Sequence, residues 1–369
     1  MKAAQVLGFG DVDRIAVVDL PSPTPGKGCV LVRVKACGLN YADVLQRQGL
    51  YLGGPTPPFV PGMEAAGIVE GNGGDAPAIP VGTRVAVVAA GGLHAERVVV
   101  QPSACIPLPD AMSFAQGAAF PIRYLTAYHA LTTVAHARAG ETVLIHAAGG
   151  GVGTAAVQIA RILGLRVVAT ASTEEKRRRI RALGATRAVG YDDFEAATRE
   201  VTGGPGPAIV LESLGGDVFR RSLAMLAPLG RLVALGATSG EIAPIDGLRL
   251  VFRSQGVLGF HLSALLRDPD AARTSARRLL EWVERGDLAI QVGHEVAFAE
   301  IRRAHQLVAS RDRYGPPAYR RRSVRAPVRR GCHSHQLAGN GGAVAREAPA
   351  AGGVADAQRP PGRIGARSS

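Results

Sequence analysis

Val143-Leu-Ile-His-Ala-Ala-Gly-Gly-Gly-Val-Gly-Thr-Ala-Ala-Val-Gln-Ile-Ala160 reads as an apolar strand, a glycine-rich turn and a helix with small residues on its first turn. Ala147, Gly150 and Gly153 fall at the spacing A-x-x-G-x-x-G, and Ala148-x-Gly150-x-x-Gly153 approximates the dinucleotide fingerprint. Glycine lets the chain turn sharply. It also lets backbone N–H groups approach a pyrophosphate seated on the positive end of the helix dipole. A lone glycine triplet occurs in many loops, but this one follows a β-rich run and opens a helix, which is the context the reading requires.

The next strand pattern, Arg166-Val-Val-Ala-Thr-Ala-Ser172, ends about twenty residues after the first glycine, where an NAD site usually carries Asp or Glu for the ribose hydroxyl. Here the strand ends Ala-Ser, and Thr173-Glu-Glu-Lys-Arg-Arg-Arg179 follows. The chain has only four lysines, and Lys176 lies at the position expected for a reader of the 2′-phosphate. A cation beside the Ser172 hydroxyl suits a phosphate dianion, so the cofactor expected is NADP(H). Arg177, Arg178 and Arg179 read as the solvated face of a helix.

A chain of 369 residues suggests about two domains. With 47% hydrophobic residues and no apolar run near twenty, it reads as a soluble protein with no membrane partner. Met1-Lys-Ala-Ala-Gln-Val reads as a first strand rather than a signal peptide. Cys29, Cys37, Cys105 and Cys332 show no C-x-x-C spacing, which fits a reducing cytoplasm. The net charge of +13 is concentrated at one end: residues 316–369 hold ten arginines against Glu347 and Asp356, leaving +5 on the rest. Arginine makes up 39 of the 43 basic residues, a bias that suits a GC-rich coding sequence, and nucleic acid is not the partner expected.

The first 120 residues are β-rich and punctuated by proline and glycine, as in Val30-Leu-Val-Arg-Val-Lys35, Ala65-Ala-Gly-Ile-Val69, Thr83-Arg-Val-Ala-Val-Val88 and Glu96-Arg-Val-Val-Val100. Short strands separated by turn residues predict a small irregular barrel. From about residue 122 strands and helices alternate. Strands are expected at 142–148, 166–172, 188–191, 208–213, 231–237 and 255–260. Helices are expected at 154–163, 174–183 and 217–226. This predicts a doubly wound parallel sheet. Helical patterns at 270–285 and 298–310 follow.

Several motifs then agree in order and spacing: Cys37-Gly-Leu-Asn-Tyr-Ala-Asp43, Arg47-x-Gly-Leu-Tyr51, Pro58-Phe-Val-Pro-Gly-Met-Glu-Ala-Ala-Gly67, Ala119-Phe-Pro-Ile-Arg-Tyr-Leu-Thr-Ala-Tyr-His129 and Gly259-Phe-His261. Residues 1–315 resemble the zinc-free quinone oxidoreductase branch of the medium-chain dehydrogenase/reductase superfamily. The resemblance implies an α/β protein with a GroES-like irregular β-barrel catalytic domain at 1–121 and a Rossmann NADP-binding domain at 122–260. It also implies a return to the catalytic domain at 261–315. Residues 316–369 read as a disordered Arg/Ala/Gly/Pro tail.

Zinc alcohol dehydrogenases are similar, but place a cysteine where this chain has Asn40 and a histidine where it has Met63, and they carry a four-cysteine lobe absent from residues 83–100. Zinc needs about four N, S or O donors, so no metal site is expected. His94 reads as a loop residue, and His129 and His146 as structural histidines. Without a metal the chemistry is direct hydride transfer from NADPH to a conjugated acceptor, with the protein hydrogen-bonding the oxygen that gains charge.

The resemblance points to Tyr51 beside the nicotinamide and substrate, with Asn40 and Thr126 lining the same cleft. Two roles stand for Tyr51, proton donor or shaper of the pocket. Asn40 also admits a structural role near the barrel wall. By the same matching, Gly149, Gly150, Gly151 and Val152 face the pyrophosphate, and Ser172, Lys176 and Tyr191 surround the 2′-phosphate, with strand packing as the other reading of Tyr191. Gly236 and Ala237–Gly240 border the nicotinamide ribose, while Phe260 and His261 approach the nicotinamide. Arg123 stands where relatives commonly have asparagine.

The activity expected is a quinone reductase on a small-molecule substrate. The alternatives are an alkenal or enoyl reductase, and a non-catalytic dinucleotide- or nucleic-acid-binding relative. Relatives are commonly homodimers. They also continue past the equivalent of Gly315 into a short apolar strand, whereas here Pro316-Pro-Ala-Tyr-Arg-Arg-Arg-Ser follows. An altered reading frame or a basic arm would explain the difference. Loss of the strand would leave a barrel edge unpaired.

Overall fold

Thr142–Ile145 lies at the middle of a six-stranded sheet. Arg166–Thr170 and then Arg187–Val189 extend it on one side, and Ile209–Glu212, Arg231–Ala234 and Gly256–Gly259 on the other. Every neighbouring pair is parallel. This is the doubly wound order 3-2-1-4-5-6. Val143, Leu144, Val167, Val210 and Leu232 are fully buried, as a parallel sheet covered on both faces requires. The computed structural model of the chain describes residues 1–74, 79–241 and 243–310, and the backbone of 318–320.

The helices Gly151–Ile162, Glu174–Ala182 and Gly216–Met225 fall close to where the patterning puts them. A further crossover helix, Phe194–Thr202, was not legible, and it buries Phe194 and Ala197. The strands stop earlier than expected, at Thr170, Val189 and Ala234, where their parallel neighbours stop. The residues beyond, including Ser172, Tyr191 and Gly236, therefore sit in loops at the carboxyl edge of the sheet, where doubly wound folds bind ligands.

The barrel grows around the nine-residue strand Val30–Gly38, which pairs antiparallel with Glu64–Asn72 and with Arg97–Val100. Arg84–Val88 and Cys105–Pro107 continue the sheet. Register shifts at Leu31/Val32 and Val34/Ala36 bend the central strand. A separate hairpin, Lys2–Val6 with Ile15–Asp19, meets this lobe through bridges from Ala3 to Ala95 and Val6 to Phe59.

The expectation of an unpaired barrel edge is corrected. The backbone of Ala318–Arg320 forms a strand antiparallel to Val30–Gly38, with Ala318 opposite Gly38, and parallel to Glu295–Ala297. Pairing uses backbone N–H and C=O groups, which a non-apolar sequence also supplies. The remaining tail expectation, residues 316–317 and 321–369, lies outside the described residues.

Between the sheets, Pro121–His129 packs on Gly151–Ile162 and on the long helix Pro269–Glu284. The Tyr124 hydroxyl donates to Ala289 O (2.9 Å) and accepts from Gln291 N–H (2.9 Å). Gln158 holds Ala289 through both its N–H and its C=O. Trp282 meets Tyr128 edge to face at 5.9 Å. These contacts fix the first of these helices, and with it Arg123 and Thr126, against the nucleotide-type sheet.

Candidate functional site

The glycine loop leaves the central strand at Ile145. Its one left-handed residue is Ala147 (φ 49°), not a glycine, at a cost of about 1–2 kcal/mol. The glycines serve close approach instead. A Cβ on Gly153 would lie 2.5 Å from Ala148 Cα and 2.6 Å from Ala147 O, so the helix seats directly on the end of the strand. Gly150 is the N-cap and lacks a side-chain cap, and a helical bond runs across the loop from Thr154 N–H to Gly150 O. By helix geometry the N–H groups of Gly151, Val152 and Gly153 have no intrahelical acceptor, and they face the site with the helix dipole behind them.

Lys176 crosses this loop: a Cβ on Gly149 would touch its Cδ at 3.2 Å. Its Nζ lies 3.5 Å from Ser172 Oγ, and the residue is only 9% exposed. The Thr173 hydroxyl caps the helix by accepting from Lys176 N–H. The neighbouring arginines behave differently. Arg177, Arg179 and Arg181 pair with Glu174, Glu175 and Glu174 respectively on the outer face. Ser172 and Lys176 are thus brought together apart from the solvated arginines.

Tyr191 lies two residues past its strand and stacks over His146 (centroids 6.5 Å, 22° between planes). His146 is buried between Thr170 Oγ1 (3.0 Å) and Ser222 Oγ (2.7 Å), tying a neighbouring strand end to the helix Gly216–Met225. Burial, with Arg221 adding repulsion, pushes its pKa down to about 3, so it is a neutral tether. His129 bonds Thr133 at 2.7 Å and is pushed down to about 4 by burial. His94 is in a loop yet fully buried, with Nε2 2.8 Å from Gly38 O.

A second cluster is made of side chains. Asn40 starts the helix Tyr41–Gln48, where its backbone N–H donates to Asp43 Oδ2 (2.8 Å). Its amide donates to Glu64 Oε1 (2.8 Å), so Asn40 is turned into the protein. Glu64 Oε2 accepts from Ile122 N–H (2.9 Å), and Arg123 Nη2 stands 3.6 Å from Glu64 Oε1. Glu64 and Arg123 are 0% and 1% exposed, and the three guanidinium nitrogens make no hydrogen bond among the described residues. Burial raises the Glu64 pKa against the pull of Arg123, and pushes Asp43 up to about 7. Thr126 joins the cluster only through Ile122, whose carbonyl accepts its hydroxyl. Asp43 and the buried pairing of Glu64 were not singled out beforehand. Both stand inside quoted motifs, but the cation that answers them, Arg123, lies 80 residues beyond Asp43 and 59 beyond Glu64.

Tyr51 follows that helix and is half-buried, between Leu50 and Leu52, which are 70% and 99% exposed. Its hydroxyl lies 2.6 Å from Nε2 of His261, just beyond the last parallel strand. Burial, and secondarily the charge of Asp43, raise its pKa above the ordinary tyrosine value. Phe260, beside His261, donates its N–H to Ala234 O (3.0 Å), and Gly236 is exposed two residues past that strand end. A tyrosine of the barrel lobe therefore touches the carboxyl edge of the parallel sheet. The same edge carries the bare helix N-terminus at Gly151 and the buried Lys176.

A family model described as "Alcohol dehydrogenase GroES-like domain" matches residues 26–110, and one described as "Zinc-binding dehydrogenase" matches residues 151–285. The chain is 36% identical over 319 residues to a quinone oxidoreductase of Pseudomonas aeruginosa, covering 84% of this chain and 96% of that one. It is similar in structure to the quinone oxidoreductase of Thermus thermophilus, which was also solved in complex with NADPH. That chain is 42% identical with a TM-score of 0.78, covering 87% of this chain and 100% of that one. The Escherichia coli quinone oxidoreductase complexed with NADPH is 28% identical with a TM-score of 0.80, at 87% and 100% coverage.

Proposed function

The chain belongs to the quinone oxidoreductase branch of the medium-chain dehydrogenase/reductase superfamily, and from that premise we propose that it transfers hydride from NADPH to a quinone without a metal. Its fold is the GroES-like lobe joined to a Rossmann-like sheet. We divide these at 1–121, 122–260 and 261–315. The single observation that carries the reading is the 2.6 Å approach of Tyr51 to His261, which sets a hydroxyl at the carboxyl edge of the sheet.

NADPH, when bound, supplies the hydride. The residues present fit it: the N–H groups of Gly151 to Gly153 would hold the pyrophosphate, and Lys176 with Ser172 the 2′-phosphate. Gly149, Gly150, Tyr191, Gly236 and Phe260 line the same edge. Tyr51 would donate to the acceptor oxygen that becomes negative, since a raised pKa keeps the phenol protonated at neutral pH. Asn40 holds Glu64, and Thr126 lines the wall.

The zinc-free reading rests on charge: the buried guanidinium of Arg123 stands beside the carboxylate of Glu64, and a fixed cation repels a dication. Among the described residues no three of His, Cys, Asp and Glu converge to hold a metal. No helix among them is long and apolar enough to cross a membrane. Cys29, Cys37 and Cys105 are free thiols, which supports the cytoplasm. Leu248, Val251 and Phe252, on the helix leading into the edge strand Gly256–Gly259, are 70%, 70% and 85% exposed, which supports a homodimer through this edge. Light scattering at twice the chain mass would bear the homodimer out, and a monomer would refute it.

The test of function is NADPH oxidation with 1,4-naphthoquinone, 9,10-phenanthrenequinone and a simple enone, each repeated with NADH and after chelation. Fast, chelator-resistant turnover of a quinone with NADPH preferred is the result expected. Preference for the enone would favour an alkenal or enoyl reductase. Tight NADPH binding without turnover would favour a non-catalytic relative.

A further inference from the structure

The environment of His261 fixes which way its hydrogen bond to Tyr51 runs. The Ser263 backbone N–H donates to His261 Nδ1 (3.3 Å), and the Ser263 hydroxyl lies 2.6 Å from the same nitrogen. A protonated Nδ1 would face that N–H donor to donor. The neutral ring therefore carries its proton on Nε2, which points at Tyr51 Oη at 2.6 Å. The tyrosine oxygen accepts this bond, which leaves its own O–H directed elsewhere.

We propose that His261, oriented by Ser263, is a positioning residue that frees the Tyr51 proton for the substrate oxygen and stabilises the phenolate left behind. The inference rests on the reading of Tyr51 as the donor. Hydride from NADPH reduces the acceptor by two electrons, and NADPH is oxidised to NADP+. The Tyr51 O–H bond breaks, its proton forms an O–H bond on the acceptor, and the electron pair stays on Oη. The Nε2–H of His261 then donates to a full negative charge, a stronger bond than the one it makes to the neutral phenol. His261 is exposed, so solvent water returns the proton. The titratable groups facing Tyr51 among the described residues are His261 at the sheet edge and Asp43 from the helix Tyr41–Gln48. Asp43 acts in the opposite sense, opposing the phenolate, which gives His261 something to offset.

Two readouts test this. In protein without substrate, the phenolate absorbance of wild type minus Tyr51→Phe isolates the titration of Tyr51. His261→Ala should move it to higher pH, and His261→Gln, whose amide N–H reaches the same place, should move it back. In turnover, His261→Ala should lower kcat about tenfold, and Tyr51→Phe/His261→Ala should be no slower than Tyr51→Phe. A Tyr51 titration indifferent to His261, or losses that multiply in the double variant, would overturn the proposal. If no acceptor is turned over at all, the functional reading fails, while the titration still decides the role of His261.

Discussion

One region of the molecule is built of consecutive backbone and another of scattered, buried side chains. Residues 147–153 present amides whose positions follow from a strand end and a helix start. A second region gathers Asn40, Asp43, Glu64 and Arg123, two carboxyl groups and a guanidinium almost wholly out of water. A backbone site loses little when a surface side chain changes, because its donors remain. A buried charged cluster is balanced only as a set, and removing one member leaves the others uncompensated.

The sharpest way to break that contrast is Glu64→Leu. It strips the partner from Arg123 and the acceptors from Asn40 and Ile122, and should cost about 3–5 kcal/mol in a denaturant melt. Glu64→Leu/Arg123→Leu should recover a large part of the loss. A single variant as stable as wild type would mean that the cluster is not coupled.

In the backbone region, Gly153→Ala forces a methyl to 2.5 Å from Ala148 Cα, and should cost about 1–3 kcal/mol and weaken NADPH binding measured by fluorescence. Lys176→Ala leaves the amides in place. It should raise the Kd for NADPH about tenfold to a hundredfold with that for NADH unchanged, and equal losses for both would refute its assignment to the 2′-phosphate.

The smallest effect expected is on pH dependence. Folding raises Asp43 from 3.8 to about 7, so the stability held by its protonated form is full below pH 3.8 and is lost as pH rises through 7. Between pH 6 and 7 the change is at most about 1.4 kcal/mol. Asp43→Asn should flatten the melting temperature across that interval, and an unaltered slope would place the titration elsewhere.

The same contrast explains what the sequence disclosed. The glycine loop is legible because a helix start and a close approach constrain adjacent residues, and Lys176 because a rare lysine follows a strand end without an acid. Even there the left-handed turn went to Ala147, since a small residue tolerates a strain usually left to glycine. Tyr51 and His261 were legible as separate motif members. Their contact across 210 residues was not, because no local pattern records which loop ends meet. The pairing of Glu64 with Arg123 was hidden for the same reason. The strand Ala318–Arg320 escaped because pairing is made by backbone, which hydropathy does not report.

The central barrel strand Val30–Gly38 takes partners from 64–72 and 97–100, but also from 318–320. On the ribosome its last neighbour emerges 280 residues after the strand itself, at Ala318 against Gly38. The parallel sheet, complete by Gly259, has all its strands available earlier. Non-local pairing is slow, and domains fold as they appear during synthesis. All the strands of the parallel sheet are thus on hand while the central barrel strand still lacks one neighbour, so chain order alone lets that sheet close first.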